Sequence, residues 1–92
     1  MKKRIEDPKA LQVRLKKVIG QLNGICGMID GGTPCEDIIL QLTAVNGALH
    51  KVSLMILEGH LRHCVMAGVE SGDAEDAIGS FAKALESFSK MA

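Results

Sequence analysis

Cys35, His60 and Cys64 are the side chains of this 92-residue chain best suited to hold a soft metal ion or to exchange disulfides. A thiolate is a soft ligand and an imidazole an intermediate one, so this set favours cuprous copper or zinc over magnesium or calcium. Structural zinc normally takes four protein ligands, whereas cuprous copper accepts three. Spacing then decides how the three could meet. Cys35 and His60 are 25 positions apart, roughly 37 Å along a continuous helix at about 1.5 Å of rise per residue. Their angular phase nearly coincides, since at about 100° per residue His60 lies roughly 20° to one side of Cys35 and Cys64 roughly 20° to the other. One helix thus carries all three on one stripe but at opposite ends. Two copies paired antiparallel about a two-fold axis bring Cys35 of one chain to His60 and Cys64 of the other, twice. That geometry describes an intersubunit metal or redox site. The bland alternative is a pair of small buried cysteines and a polar surface histidine, and spacing alone does not separate the two.

The elements that must position these residues are helices. Leu11, Leu15, Val18, Leu22, Ile25 and Ile29 step by four and three, and Asp7-Pro8 can start a helix that Asp30-Gly31-Gly32 ends. Thr33-Pro34-Cys35-Glu36 reads as the capped start of a second helix, with Cys35 in its first turn. Its seam runs Ile38, Leu42, Val45, Leu49, Val52, Ile56 and Gly59, without a breaker to about Ala67. After Gly68 to Gly72, Asp73 can cap a third helix, with Asp76 at its third position and a stripe of Ile78, Phe81, Leu85 and Phe88. The expectation is one all-α domain over 1–92, with helix one about 7–29, helix two about 34–67 and helix three about 73–90. Two long amphipathic helices and a short one bury their stripes poorly alone, but two hairpins form an antiparallel four-helix bundle. Facing Cys35 with His60 and Cys64 puts the two-fold axis near Ala48 and Leu49, where Ala44, Gly47 and Ala48 permit close approach. Cys26 sits beside the helix-one seam and is expected in the core.

Composition narrows the functions. Eleven basic and eleven acidic residues cancel, yet Lys2, Lys3, Arg4, Lys9, Arg14, Lys16 and Lys17 crowd the first helix and its arm. A neutral chain can therefore still present a polyanion-binding face. With two Phe and no Trp or Tyr, it has no aromatic platform for single strands, and no helix-turn-helix or zinc-finger spacing appears. Three cysteines without regular spacing fit a reducing compartment. No apolar run approaches the roughly 18 residues of a membrane span, and Met-Lys-Lys-Arg leads into polar residues, so the chain is expected to be cytoplasmic, with no membrane partner. No nucleophile, base and orienting acid, and no phosphate loop, suggest an enzyme.

Arg14-Leu15-Lys16-Lys17-Val18-Ile19-Gly20-Gln21, Cys35-Glu36-Asp37-Ile38 with Gln41, and Gly59-His60-Leu61-Arg62-His63-Cys64 together resemble the copper-sensitive operon repressor family of bacteria. The resemblance covers nearly the whole chain. It implies a dimer of helical hairpins that assembles into a tetramer, binds double-stranded operator DNA when metal-free and releases it on binding its ligand. It implies Cys35, His60 and Cys64 as the ligands. Nickel and cobalt branches recruit an N-terminal His, where position 3 here is Lys; the formaldehyde-responsive branch uses a Pro after the initiator Met, where this chain has Lys2. Persulfide sensors keep both cysteines and lack the His. The set Cys, His, Cys thus points to cuprous copper, ahead of zinc or nickel. A thiol- or persulfide-responsive repressor using Cys35 and Cys64 is the alternative.

The chain also departs from the pattern it resembles. Copper-sensing members often carry a Tyr before the first Cys and a helix-three Glu against the ligand His; Pro34 and Gly79 or Ser80 stand there. Asn23 and Asn46 occupy places where many relatives carry Arg. For DNA contact the expected residues are Arg14, Lys17 and Gln21 on one face of helix one, with Lys16 nearby and the arm from Lys2 to Arg4 assisting. Arg and Lys neutralise phosphates, and Gln21 can donate to phosphate or base edges.

Overall fold

The computed structural model describes Ile5 and residues 7–91, and the Lys2 to Arg4 arm lies outside the described residues. Every regular element among them is helical: α1 (Pro8–Asp30), α2 (Cys35–Gly59), a π-helical segment (His60–Val65), α3 (Met66–Ser71) and α4 (Ala74–Ser89). They form two compact units, one spanning Lys9–Val52 and the other running from Ser53 onward.

In the first unit α1 and the start of α2 make a hairpin. Val18, Ile25 and Val45 form its buried core, with Met28, Ile38, Ala48 and Leu49 packed against them. Only half of each expected seam is buried. On α1, Leu11, Val18 and Ile25 are buried at intervals of seven, while Leu15, Leu22 and Ile29 are exposed. On α2, Val45 and Val52 are buried and Leu42 is exposed. A four-and-three seam is two rows wide, and one neighbouring helix covers about one row. Cys26, expected in the core, is exposed, because it stands about 100° around the helix from Ile25.

The hairpin turn ends α1 with paired backbone bonds. Thr33 N–H donates to the Met28 carbonyl at 3.0 Å and Gly32 N–H to the Ile29 carbonyl at 3.4 Å, with Gly32 at φ 76°. This is the Schellman arrangement, which satisfies carbonyls that the helix end orphans. The Pro34 carbonyl then accepts from the N–H groups of Asp37 and Ile38, at 3.1 and 3.2 Å, so Cys35 starts the next helix.

The second unit corrects the expectation of a uniform second helix to about Ala67. The α-helical ladder ends at Gly59, and the Met66 N–H donates to Leu61, five residues back, before α3 resumes to Ser71. An i→i+5 turn is wider than an α-helical one, and around it Leu57, Gly59 and Val65 are buried while Leu61, Arg62 and His63 are exposed. The corner between α3 and α4 repeats the Schellman pattern, with Asp73 N–H to the Gly68 carbonyl at 2.7 Å and Gly72 at φ 90°. That φ is one an L side chain rarely adopts. Asp73 caps α4 through no side-chain hydrogen bond; its carbonyl accepts from Ala77 N–H at 3.0 Å instead. Of the stripe expected on the third helix, Phe81 and Phe88 face inward, but Ala77 and Ala84 take the places of Ile78 and Leu85. Ala77, Phe81, Ala84, Phe88 and Met91, spaced four and three, are half-buried, while Ile78 and Leu85 are exposed.

The continuous helical run Cys35–Ser71 is, by length and composition alone, long and apolar enough to cross a membrane. The expectation that nothing approaches a span is therefore too strong by length and composition. Lys51 sits near the middle of that run, where a charge in a bilayer costs about 2.5–3.5 kcal/mol. The heptad rows of α2 fit a helical neighbour better than lipid.

Candidate metal centre and nucleic-acid face

Cys35 is the first residue of α2, and its thiol is exposed. The Schellman turn and Pro34 fix where α2 begins and so where this thiol stands. His60 follows the last residue of α2 and opens the π segment. Its ring is half-buried, with Nε2 out of solvent. Phe81 of α4 meets the imidazole edge to face, the centroids 5.8 Å apart and the planes at 85°. Cys64 lies four residues on within the same π segment.

The structure thus brings His60 and Cys64 into one short element and leaves Cys35 in the other compact unit. Among the described residues no three His, Cys, Asp or Glu side chains cluster in a way that could hold a metal. Because the turn containing Cys64 is wider than an α-helical one, its phase relative to His60 is not the one uniform α-helix geometry gives. The donor set itself suits a soft ion, combining a solvent-reachable thiol with a half-buried imidazole.

A mostly apolar cavity of about 410 Å³ adjoins His60, between the last turns of α2 and the inner face of α4. Ser53, Ile56, Leu57, Phe88 and Met91 line it, and the Ser53 hydroxyl donates to the Met91 sulfur at 3.0 Å. Two features here were missed by sequence reasoning. The π segment left no mark in the apolar spacing, since Leu57, Leu61 and Cys64 still step by four and three. The Phe81 contact left none, because a residue on an apolar stripe does not announce what it faces.

Arg14, Lys16, Lys17 and Gln21 are all exposed on α1. At about 100° per residue, Arg14, Lys17 and Gln21 flank the buried stripe on one edge, and Leu15 and Leu22 flank it on the other. Lys16 falls roughly 160° from Arg14 around the helix, away from that edge.

Three kinds of likeness bear on these residues. The family described as metal-sensitive transcriptional repressors matches over residues 7–91. The copper-sensing transcriptional repressor CsoR of Bacillus subtilis is 40% identical over 77 residues, covering 84% of this chain and 76% of that one. The copper-sensing transcriptional repressor RicR of Mycobacterium tuberculosis is 38% identical over 78 residues, covering 85% and 80%. Among solved structures, the copper-sensing repressor CsoR with Cu(I) from Geobacillus thermodenitrificans superposes with a TM-score of 0.87 at 30% identity, covering 98% of this chain and 95% of that one. The nickel-responsive transcriptional regulator InrS superposes with a TM-score of 0.83 at 28% identity, covering 96% and 99%.

Proposed function

Because this chain belongs to the metal-sensitive transcriptional repressor family, we propose that it is a cuprous-copper-responsive repressor whose ligands come from two chains. Cys35 of one chain, with His60 and Cys64 of another, would hold the ion. The observation that carries this reading is the placement of the donors at the two ends of α2, with one exposed thiol at the start and an imidazole just past the end. The bound ion would supply a soft acceptor that ties two chains together at both ends of the bundle.

The exposed rows on the hairpin support the pairing. Leu15 and Leu22 on α1 and Leu42 on α2 are large apolar side chains in heptad register without cover in one chain, as the halves of a dimer would be. A homodimer, and a homotetramer built from it, would cover them. Covering the Leu15 and Leu22 edge leaves Arg14, Lys17 and Gln21 free on the other edge to contact double-stranded operator DNA in the metal-free state, with Lys16 contributing charge. Ion binding would favour a bundle geometry that no longer fits the DNA. A cytoplasmic location accompanies this role. A nickel-responsive neighbour of the same fold makes nickel the second metal to test, and the exposed Cys35 thiol keeps a persulfide response as the other reading.

Anaerobic titration with cuprous ion under a competing chelator tests the proposal, alongside a mobility-shift assay on the DNA flanking its gene. Stoichiometric binding that is lost in Cys35→Ala and His60→Ala, with release of DNA on loading, is the expected result. If His60→Ala responds like wild type while either cysteine variant fails, the thiol reading replaces it; tighter binding of nickel than of copper moves the metal.

A further inference from the structure

We propose that Phe81 is a positioning residue for the ligand imidazole, and that through it occupancy of His60 reaches α4. This rests on the reading of His60 as a metal ligand. A histidine that ligates a metal is usually oriented by a carboxylate, a carbonyl or water on its other nitrogen. Here the structure puts the aromatic ring of Phe81, from α4, against the imidazole. At 5.8 Å and 85° the pair has the edge-to-face geometry that aromatic quadrupoles prefer.

Phe81 is also held in place. A Cβ at Gly68 would stand 2.5 Å from the Ala77 Cβ, so α3 and α4 are already at their closest approach. Ala77 lies one turn before Phe81 on the same half-buried face. The corner therefore fixes the height at which the Phe81 ring meets the π segment. An imidazole held by this ring gives up less rotational freedom when it takes a ligand position. If the imidazole reorients or becomes electron-poor on coordination, the contact energy changes, and the change falls on α4. No hydrogen bond or titration is needed for this coupling.

The test uses the whole chain with cuprous ion as the probe. Phe81→Leu keeps apolar bulk and removes the ring; Phe81→Tyr keeps the ring, and its hydroxyl can reach water from this half-buried site. Three readouts are taken: cuprous affinity under a competing chelator, His60 ring-proton shifts without metal, and amide exchange over α4 with and without metal. The expected result for Phe81→Leu is moved His60 ring-proton shifts, binding about three- to tenfold weaker, and loss of the metal-dependent change in α4 exchange, all restored in Phe81→Tyr. Thermal unfolding of the variants separates these effects from loss of fold, and Phe81→Met, which also removes the ring at similar bulk, carries the test with the same expected and overturning results if Leu unfolds. Unmoved shifts in the folded Leu variant, or affinity within twofold of wild type with unchanged α4 response, overturn the inference alone. A wild-type chain that holds no cuprous ion overturns the function it rests on as well.

Discussion

The hairpin unit and the C-terminal unit solve the same problem, burying heptad-spaced apolar residues, in opposite ways. The hairpin buries Leu11, Val18, Ile25 and Val45 and packs Leu49 against that core, but leaves Leu15, Leu22 and Leu42 of the same seams in solvent. The unit from Ser53 onward turns a corner on Gly68 and Gly72 and packs α4 back on its own π segment and α2 end. One unit leaves part of its seam uncovered along a hairpin; the other folds back on itself at a corner, with Leu61, Met66, Val69, Ile78 and Leu85 still exposed. The proposed ligands divide along the same line, with Cys35 in the hairpin unit and His60 and Cys64 in the C-terminal one. The intersubunit site proposed above would draw donors from both.

The sharpest way to break this comparison is to mix chains. A Cys35→Ala chain paired with a His60→Ala chain retains one complete intersubunit site out of two. Cuprous titration of the mixed dimer should recover half the wild-type stoichiometry, whereas ligands drawn from a single chain would give no tight site. Next in size is the hairpin core: Ile25→Ala empties a buried position and should cost about 2–5 kcal/mol in urea unfolding. That midpoint should also rise with chain concentration if, as proposed, a second copy covers the row left exposed in one chain. A midpoint independent of concentration would sink that pairing.

Gly68→Ala probes the C-terminal unit. The added methyl collides with Ala77, so a loss of about 1–3 kcal/mol is expected from overpacking. The loss should be the same at every chain concentration, because the clash is within one chain. A neutral Gly68→Ala would mean that α3 and α4 separate readily. The smallest effect is on the polar edge of α1. Arg14→Ala should weaken DNA binding and lower the slope of log affinity against log salt by about 0.9, the value for one released phosphate contact. Lys16→Ala, on the far side of the helix, should change that slope less.

Much of this could be read from residue order. Three helical periodicities, the breaks at Gly31-Gly32 and Gly68 to Gly72, and the start of α2 at Cys35 are local matters of propensity, capping and phase, and local rules find them. The ligand candidates were legible for the same reason, since soft donors on one stripe at opposite helix ends are a property of spacing. Burial was less legible. Periodicity marks which residues are apolar and share a face, but Leu15 and Val18 look alike in the sequence and differ in the fold, because only the position of the neighbouring helix selects the covered row. On α4 the selection went further, favouring Ala77 and Ala84 over Ile78 and Leu85: at Ala77 a small residue allows the close approach to Gly68 that a larger one would prevent.

What the sequence by itself determined is therefore the helical architecture, the candidate donors and the impossibility of one straight helix closing the gap from Cys35 to His60, the last a consequence of a fixed rise per residue. Tertiary structure alone decided which apolar row is buried, that the turn carrying His60 and Cys64 widens into a π-helix, and that Phe81 meets the imidazole. Each of these depends on where a second helix lies in space, and no count of residues along one chain contains that distance.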